Sequence, residues 1–177
     1  QNPAAAQAAP AVSIKANGRI STAQMATTTP TATSKRGVAS GSTPLLVFVP
    51  AFDTKTIRQS HLFVAGSNTL TVTLAANCDI EAASRITLSG LLNSLSPDNA
   101  ALPITSTSGA LGTTGVWTQS TGSLVLTVAT TLAGSTDYTV TYEVINPADP
   151  LPSLFPNASG QVEAGVNDAP IHSAVMT

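Results

Sequence analysis

Thr69 to Ala76 reads TLTVTLAA, an unbroken alternation that puts Leu70, Val72 and Leu74 on one side of an extended chain and Thr69, Thr71 and Thr73 on the other. A period of two, with β-branched hydroxyl residues opposite the aliphatic ones, predicts a half-buried antiparallel strand. Ser123 to Ala129 (SLVLTVA) repeats the device with Leu124, Leu126 and Val128 inward, and Tyr138 to Ile145 (YTVTYEVI) repeats it again. Ile86 to Leu88, Leu45 to Val49 and His61 to Ala65 read as shorter strands. Between these segments fall turn-forming clusters: Gly66-Ser67-Asn68, Ser96-Pro97-Asp98-Asn99, Gly112 to Gly115 and Ala133-Gly134-Ser135. Helical periodicity is almost absent. Many short strands with this punctuation predict an all-β chain, an immunoglobulin-like antiparallel β-sandwich in preference to a jelly roll, with Trp117 plugging the core.

Composition narrows the function. Charged residues are 9% of the chain and the net charge is −2, against a usual charged share of about 25%. That balance offers no electrostatic footprint for nucleic acid or an anionic membrane surface. Ser and Thr together make up roughly a quarter of the residues, which gives the chain an extracellular character. No apolar run is long enough to span a membrane as a helix. The start at Gln1 rather than Met fits an N-terminus processed after signal-peptide removal. One cysteine, Cys78, leaves no internal disulfide to form, so it reads as a small buried thiol, with an intermolecular bridge as the alternative.

Residues 1–44 differ from the rest. An Ala/Pro/Gln start is followed by Val12 and Ile14 alternating with Ser13 and Lys15, by the hairpin signal Asn17-Gly18 before Arg19-Ile20, and by a Ser/Thr/Pro-rich linker. This arm can form strand but has no core of its own to cover, whereas residues 45–177 hold the sandwich. The arm also carries an echo of the C-terminal part. Asn2-Pro3-Ala4, Pro10, Ala16-Asn17-Gly18-Arg19-Ile20 and Met25 are matched in order by Asn146-Pro147-Ala148, Pro152, Ala158-Ser159-Gly160-Gln161-Val162 and Met176. Chance similarity between low-complexity segments is the alternative. A real echo means that one complete unit is preceded by a copy of its own closing segment, shaped to pair with a β-domain in this chain or the next.

Several stretches, Asn68 to Asp79 (NTLTVTLAANCD), Ile86 to Leu91 (ITLSGL), Gly115 to Val128 (GVWTQSTGSLVLTV) and Glu143 to Ala148 (EVINPA), are spread over residues 68–148. Their phrasing resembles the tandem β-sandwich repeats of large extracellular surface proteins in algae and other aquatic protists. The resemblance implies an adhesive or architectural role and carries no catalytic signature; Cys78 departs from it, standing where those repeats have a small apolar residue. By analogy of design alone, the alternating N-terminal extension is similar to the donor strand of pilin-like fibre subunits.

The motifs that would mark an enzyme are missing from the sequence: there is no G-x-S-x-G, H-E-x-x-H, P-loop or G-x-G-x-x-G. His61 and His172 have no Cys or His at ligand spacing, and the acids are scattered, with Asp79 and Glu81 the one pair weighed for a calcium loop against solvated turn carboxylates. The reading therefore assigns no catalytic residue, no metal and no cofactor. Asn157-Ala158-Ser159 is a sequon, so Asn157 is a candidate N-glycan acceptor in a Pro-flanked stretch expected to be exposed, and the Ser/Thr linker is either an O-glycan carrier or plain spacer. The expectation is a secreted structural subunit that polymerises with copies of itself, head to tail, with Val12, Ile14 and Ile20 of the arm adding strand to a neighbour. The alternative is an adhesive or carbohydrate-binding repeat using loops such as Ser106 to Gly115.

Overall fold

A computed structural model describes residues 5–11, 13–14, 25–26, 33–150, 156–161 and 170–177, in two units, Gln1–Val49 and Pro50–Thr177. In the first unit β1 (Ser13–Ile14) and β2 (Met25–Ala26) pair antiparallel, Ser13 with Ala26 and Ile14 with Met25. Lys35 and Val38 exchange both backbone hydrogen bonds across a two-residue turn whose central residues, Arg36 and Gly37, both have positive φ, the signature of a tight β-hairpin. The strand expected at Leu45 to Val49 does not form. Val47 makes one isolated bridge, to Gln7, and Leu45 sits at φ 60°, so the chain between Pro44 and Pro50 cannot stay extended.

The second unit is all-β. Its strands are β3 (Phe52–Gln59), β4 (Ser67–Ala76), β5 (Arg85–Ser89), β6 (Asn99–Ser106), β7 (Thr114–Thr118), β8 (Ser123–Thr127), β9 (Tyr138–Ile145), β10 (Asn157–Gln161) and β11 (Pro170–Val175), with one turn of 3-10 helix after β6. They form one antiparallel sheet in the order β11-β10-β5-β8-β7-β6-β9-β4-β3. The strands read from alternation hold. Leu70, Val72 and Leu74 of β4, Leu124 and Leu126 of β8, and Val140, Tyr142 and Val144 of β9 are buried. They meet in register, Leu70 opposite Tyr142 and Val72 opposite Val140. Trp117 is 1% exposed in the core, and its Nε1 donates to the Ser96 carbonyl at 3.0 Å, satisfying the one polar atom that a buried indole brings with it. Cys78 is likewise a buried thiol.

The expected division into two sandwich sheets is replaced by a single, nearly closed sheet. The cause lies in β6. Its first half pairs with β7 as far as Pro103 opposite Thr114, and from Ile104 onward it pairs with β9, opposite Tyr142, Thr141 and Val140. Proline has no N–H to give to a ladder, and the change of partner falls where it stands. One strand thus joins what would otherwise be two sheets. Closure comes at the far edges, where Thr177 N donates to the Lys55 carbonyl at 3.0 Å and Ile57 N donates to the Thr177 carbonyl at 3.1 Å. Both bonds flank Thr56, the pattern of a parallel bridge. Nine strands alternating in direction leave the first and the last parallel, so a parallel seam is the closure this order allows.

His61 to Ala65, read as a strand, is instead the loop from β3 to β4, and Ser67 and Asn68, read as part of a turn, belong to β4. The reason is the side chain of Asn68, which the local pattern marks as turn-forming but which is 2% exposed and tied into the fold from within a strand.

Candidate functional site

The residues singled out in the arm are only partly within view. Ile14 lies in β1, paired with Met25; Val12, Ile20 and the Asn17-Gly18 turn lie outside the described residues. Asn157 opens β10 and is half-buried between its neighbours Ser89 and Val175, with Pro156 and Ala158 buried beside it, so the sequon sits in the sheet rather than on an exposed loop.

The C-terminal ribbon β10–β11 contains part of the segment matched by the arm. β10 pairs with β11 on one side and with β5 on the other, Ala158 opposite Leu88 and Gly160 opposite Ile86. Ala158, Ile171 and Met176 are buried. Met176 N donates to the Pro156 carbonyl at 2.8 Å. Under the echo's alignment Pro156 and Met176 correspond to Ile14 and Met25, the pair joined in β1–β2. The two ribbons thus have this one pair in common among the described residues. Across the seam from this ribbon, the described bonds between β11 and β3 are those of Thr177 alone.

A second feature was not legible as a site. At the end of β3 the loop His61 to Gly66 carries Leu62, Phe63 and Val64, exposed to 74%, 65% and 49%. Three consecutive exposed apolar side chains are unusual, and this loop is held rigidly. The Asn68 Oδ1 accepts from Ser60 N at 3.1 Å and His61 N at 3.0 Å, while its Nδ2 donates to Asn146 Oδ1 at 2.7 Å and Gln59 Oε1 at 3.0 Å. Asn146 Nδ2 in turn donates to the carbonyls of His61 and Phe63, at 3.1 and 2.9 Å. Ala65 N reaches the Pro147 carbonyl at 2.9 Å, and Asn146 N reaches that of Gly66. The His61 ring packs edge-on against Phe63, with centroids 5.3 Å apart. Gly66 lets the His61 ring lie close against the backbone, since a Cβ there would lie 2.2 Å from His61 Nε2 and the ring would have to shift. The tip is anchored by Asn146-Pro147, one of the echoed motifs, and that motif was the signal in the sequence that could have led to it.

Chemistry is sparse elsewhere. Asp79 Oδ1 caps Gly134 N at 2.8 Å, a structural use, and among the described residues no group of three or more His, Cys, Asp or Glu could hold a metal ion. An open groove of about 360 Å3 is lined by Ser96, Leu102, Pro103, Glu143, Val144 and Ile145, with a single ionisable side chain. In the Ser106 to Gly115 loop, Ala110 and Leu111 turn inward and are buried, and Ser106 Oγ bonds to the Gly112 carbonyl and Leu111 N. Trp117, being buried, supplies no stacking platform for a sugar. Among the described residues no helix is long and apolar enough to cross a membrane. No protein-family model matches the chain, and no curated protein matches it significantly.

Proposed function

We propose that this chain is a non-catalytic structural subunit of an extracellular filament or surface layer, assembled head to tail by strand addition from its N-terminal arm to a neighbouring copy. One observation carries the reading: under the echo Ile14 and Met25, paired in β1–β2, align with Pro156 and Met176, bonded at the end of the closing ribbon β10–β11, and among the described residues β1 and β2 form a two-stranded sheet with each other. A two-stranded ribbon is marginal in water, and it gains main-chain bonds and burial by adding to a sheet edge. The β11–β3 seam, where the described backbone bonds are those of Thr177, is the edge this proposal assigns to it. A contact of one surface with a different surface on the next copy is heterologous, and repeating it builds an open polymer unless its rotation closes. Low charge and a Ser/Thr-rich composition fit an extracellular setting, and covalent glycans at Asn157 or along the linker remain part of this proposal.

Electron microscopy of the full-length chain beside a Val12→Asp/Ile14→Asp variant tests it. The expected result is filaments from the first and a folded monomer from the second. Filaments of undiminished length from the variant would sink strand addition. Retention of monomeric protein on a glycan array would turn the assignment toward an adhesive repeat.

A further inference from the structure

We infer that the β11–β3 seam is a latch: among the described residues Thr177 alone bonds it shut, and release of Thr177 bares the edge of β3 to a strand from another copy of the chain. The inference rests on the strand-addition reading above and adds to it the step that regulates the site.

Backbone direction sets what Thr177 occupies. It donates to the Lys55 carbonyl at 3.0 Å and accepts from the Ile57 N–H at 3.1 Å, so both groups lie on the side of β3 turned away from β4. They are the acceptor and the donor at the middle of a strand that runs from Phe52 to Gln59. A strand that joins a sheet edge needs such groups in alternation along that edge. With Thr177 in place the centre of the edge is taken; with Thr177 released it is free.

Release is local. β3 keeps its place through β4, from Thr54 opposite Ala75 to Gln59 opposite Leu70, and β11 keeps its place through β10, from Pro170 opposite Gln161 to Val175 opposite Asn157. Met176 is buried, and its N–H is held by the Pro156 carbonyl. Only Thr177, which is exposed, has to move. The side chain under the seam points the same way. Lys55 stands on the inner face of β3, opposite the buried Leu74, and is half-buried with its Nζ donating to the Phe52 carbonyl at 3.2 Å. An ammonium group resists being sealed away from water, so a seam with Lys55 beneath it loses little by opening. Two main-chain bonds above a charged side chain put the seam at the low-stability end of the unit's opening events.

The test uses full-length protein. Amide exchange is measured first, at a concentration where the chain is monomeric. The Ile57 amide is expected to exchange at least about tenfold faster than that of Val72, whose strand is flanked by β3 and β9. Exchange at Ile57 as slow as at Val72 means that the seam opens only with the whole unit; it overturns the latch and leaves strand addition standing. A Thr56→Cys/Thr177→Cys variant then locks the seam, because the two residues face each other across the parallel bridge and neighbouring strands lie about 4.8 Å apart, within disulfide reach. Wild type, whose Cys78 is buried, controls for oxidation. The oxidised variant is expected to stay folded and monomeric, and the reduced variant to assemble. Equal assembly in both redox states overturns the latch. Wild-type assembly by Val12→Asp/Ile14→Asp, with the oxidised lock still blocking assembly, overturns the arm as the incoming strand and supports the latch. A wild-type chain that stays monomeric at every concentration overturns strand addition, and with it the strand that the bared edge would take, whatever the exchange at Ile57.

Discussion

The ribbons β1–β2 and β10–β11 are linked by the sequence echo and by one aligned pair, Ile14 with Met25 and Pro156 with Met176, but they differ in the strands they pair with. β10 has β5 along its second edge and buries Ala158 completely, while β1 and β2 have each other. On the strand-addition proposal, β1–β2 is an element that completes a sheet of another copy, and its stability would come from that host. A strand pair fixes few residues for the few bonds it makes; only a third strand or an apolar face beneath it makes the pair favourable.

The comparison breaks most sharply when an aspartate is placed in each ribbon. Ala158→Asp forces an unpaired carboxylate into a site that is 0% exposed, between Leu88 and Ala174. Its expected cost is about 4 kcal/mol or more, enough to abolish cooperative unfolding of the Pro50–Thr177 unit or move its midpoint far down. Ile14→Asp in β1 is expected to shift the guanidinium midpoint by no more than about 0.5 kcal/mol while weakening assembly. Equal destabilisation by the two would show that β1–β2 is already part of a core, and the distinction between hosted and unhosted ribbons would fall.

Next in size is the brace under the tip. Asn68→Ala strips the backbone N–H of His61 and the amide of Asn146 of a buried partner at once. An unsatisfied buried polar group costs about 1–3 kcal/mol, so a loss of about 2–3 kcal/mol in chemical denaturation is expected, together with faster amide exchange in residues 60–66. Unchanged exchange there would mean that the loop owes its shape to packing rather than to Asn68.

How much of this was readable follows from where each strand sits. β4, β8 and β9 lie inside the sheet with one face on the core, and that geometry imposes the alternation seen in TLTVTLAA, SLVLTVA and YTVTYEVI. β3 is an edge strand with Asp53, Lys55 and Arg58 in it, and its intermediate burial leaves no clean pattern; charges of this kind guard an edge and erase the signal at once. β6 carries a proline and is mostly exposed because its work is to change partners. That switch also hid the closure, since no local pattern reports which of two strands a residue pairs with. The echo was legible because it is a comparison of the chain with itself. The tip was not, because Leu62-Phe63-Val64 reads as buried strand until the loop around it is seen.

The smallest expected effect concerns Tyr142, the aromatic of β9 opposite Leu70. Its hydroxyl is buried with no hydrogen-bond partner among the described residues, and desolvation pushes the phenol's pKa well above its ordinary value near 10. The folded state therefore keeps the proton where the unfolded chain releases it. Stability is unaffected below about pH 10 and falls as pH rises beyond it, by up to about 1.4 kcal/mol per pH unit from this group. Tyr142→Phe removes the unpaired hydroxyl without opening a large cavity. At neutral pH it is expected to be neutral or to stabilise by about 1 kcal/mol, and in alkaline denaturation series it should flatten the decline. A Phe variant that loses stability at neutral pH would show that the hydroxyl has a partner, and an alkaline decline of unchanged slope would assign that titration to another group.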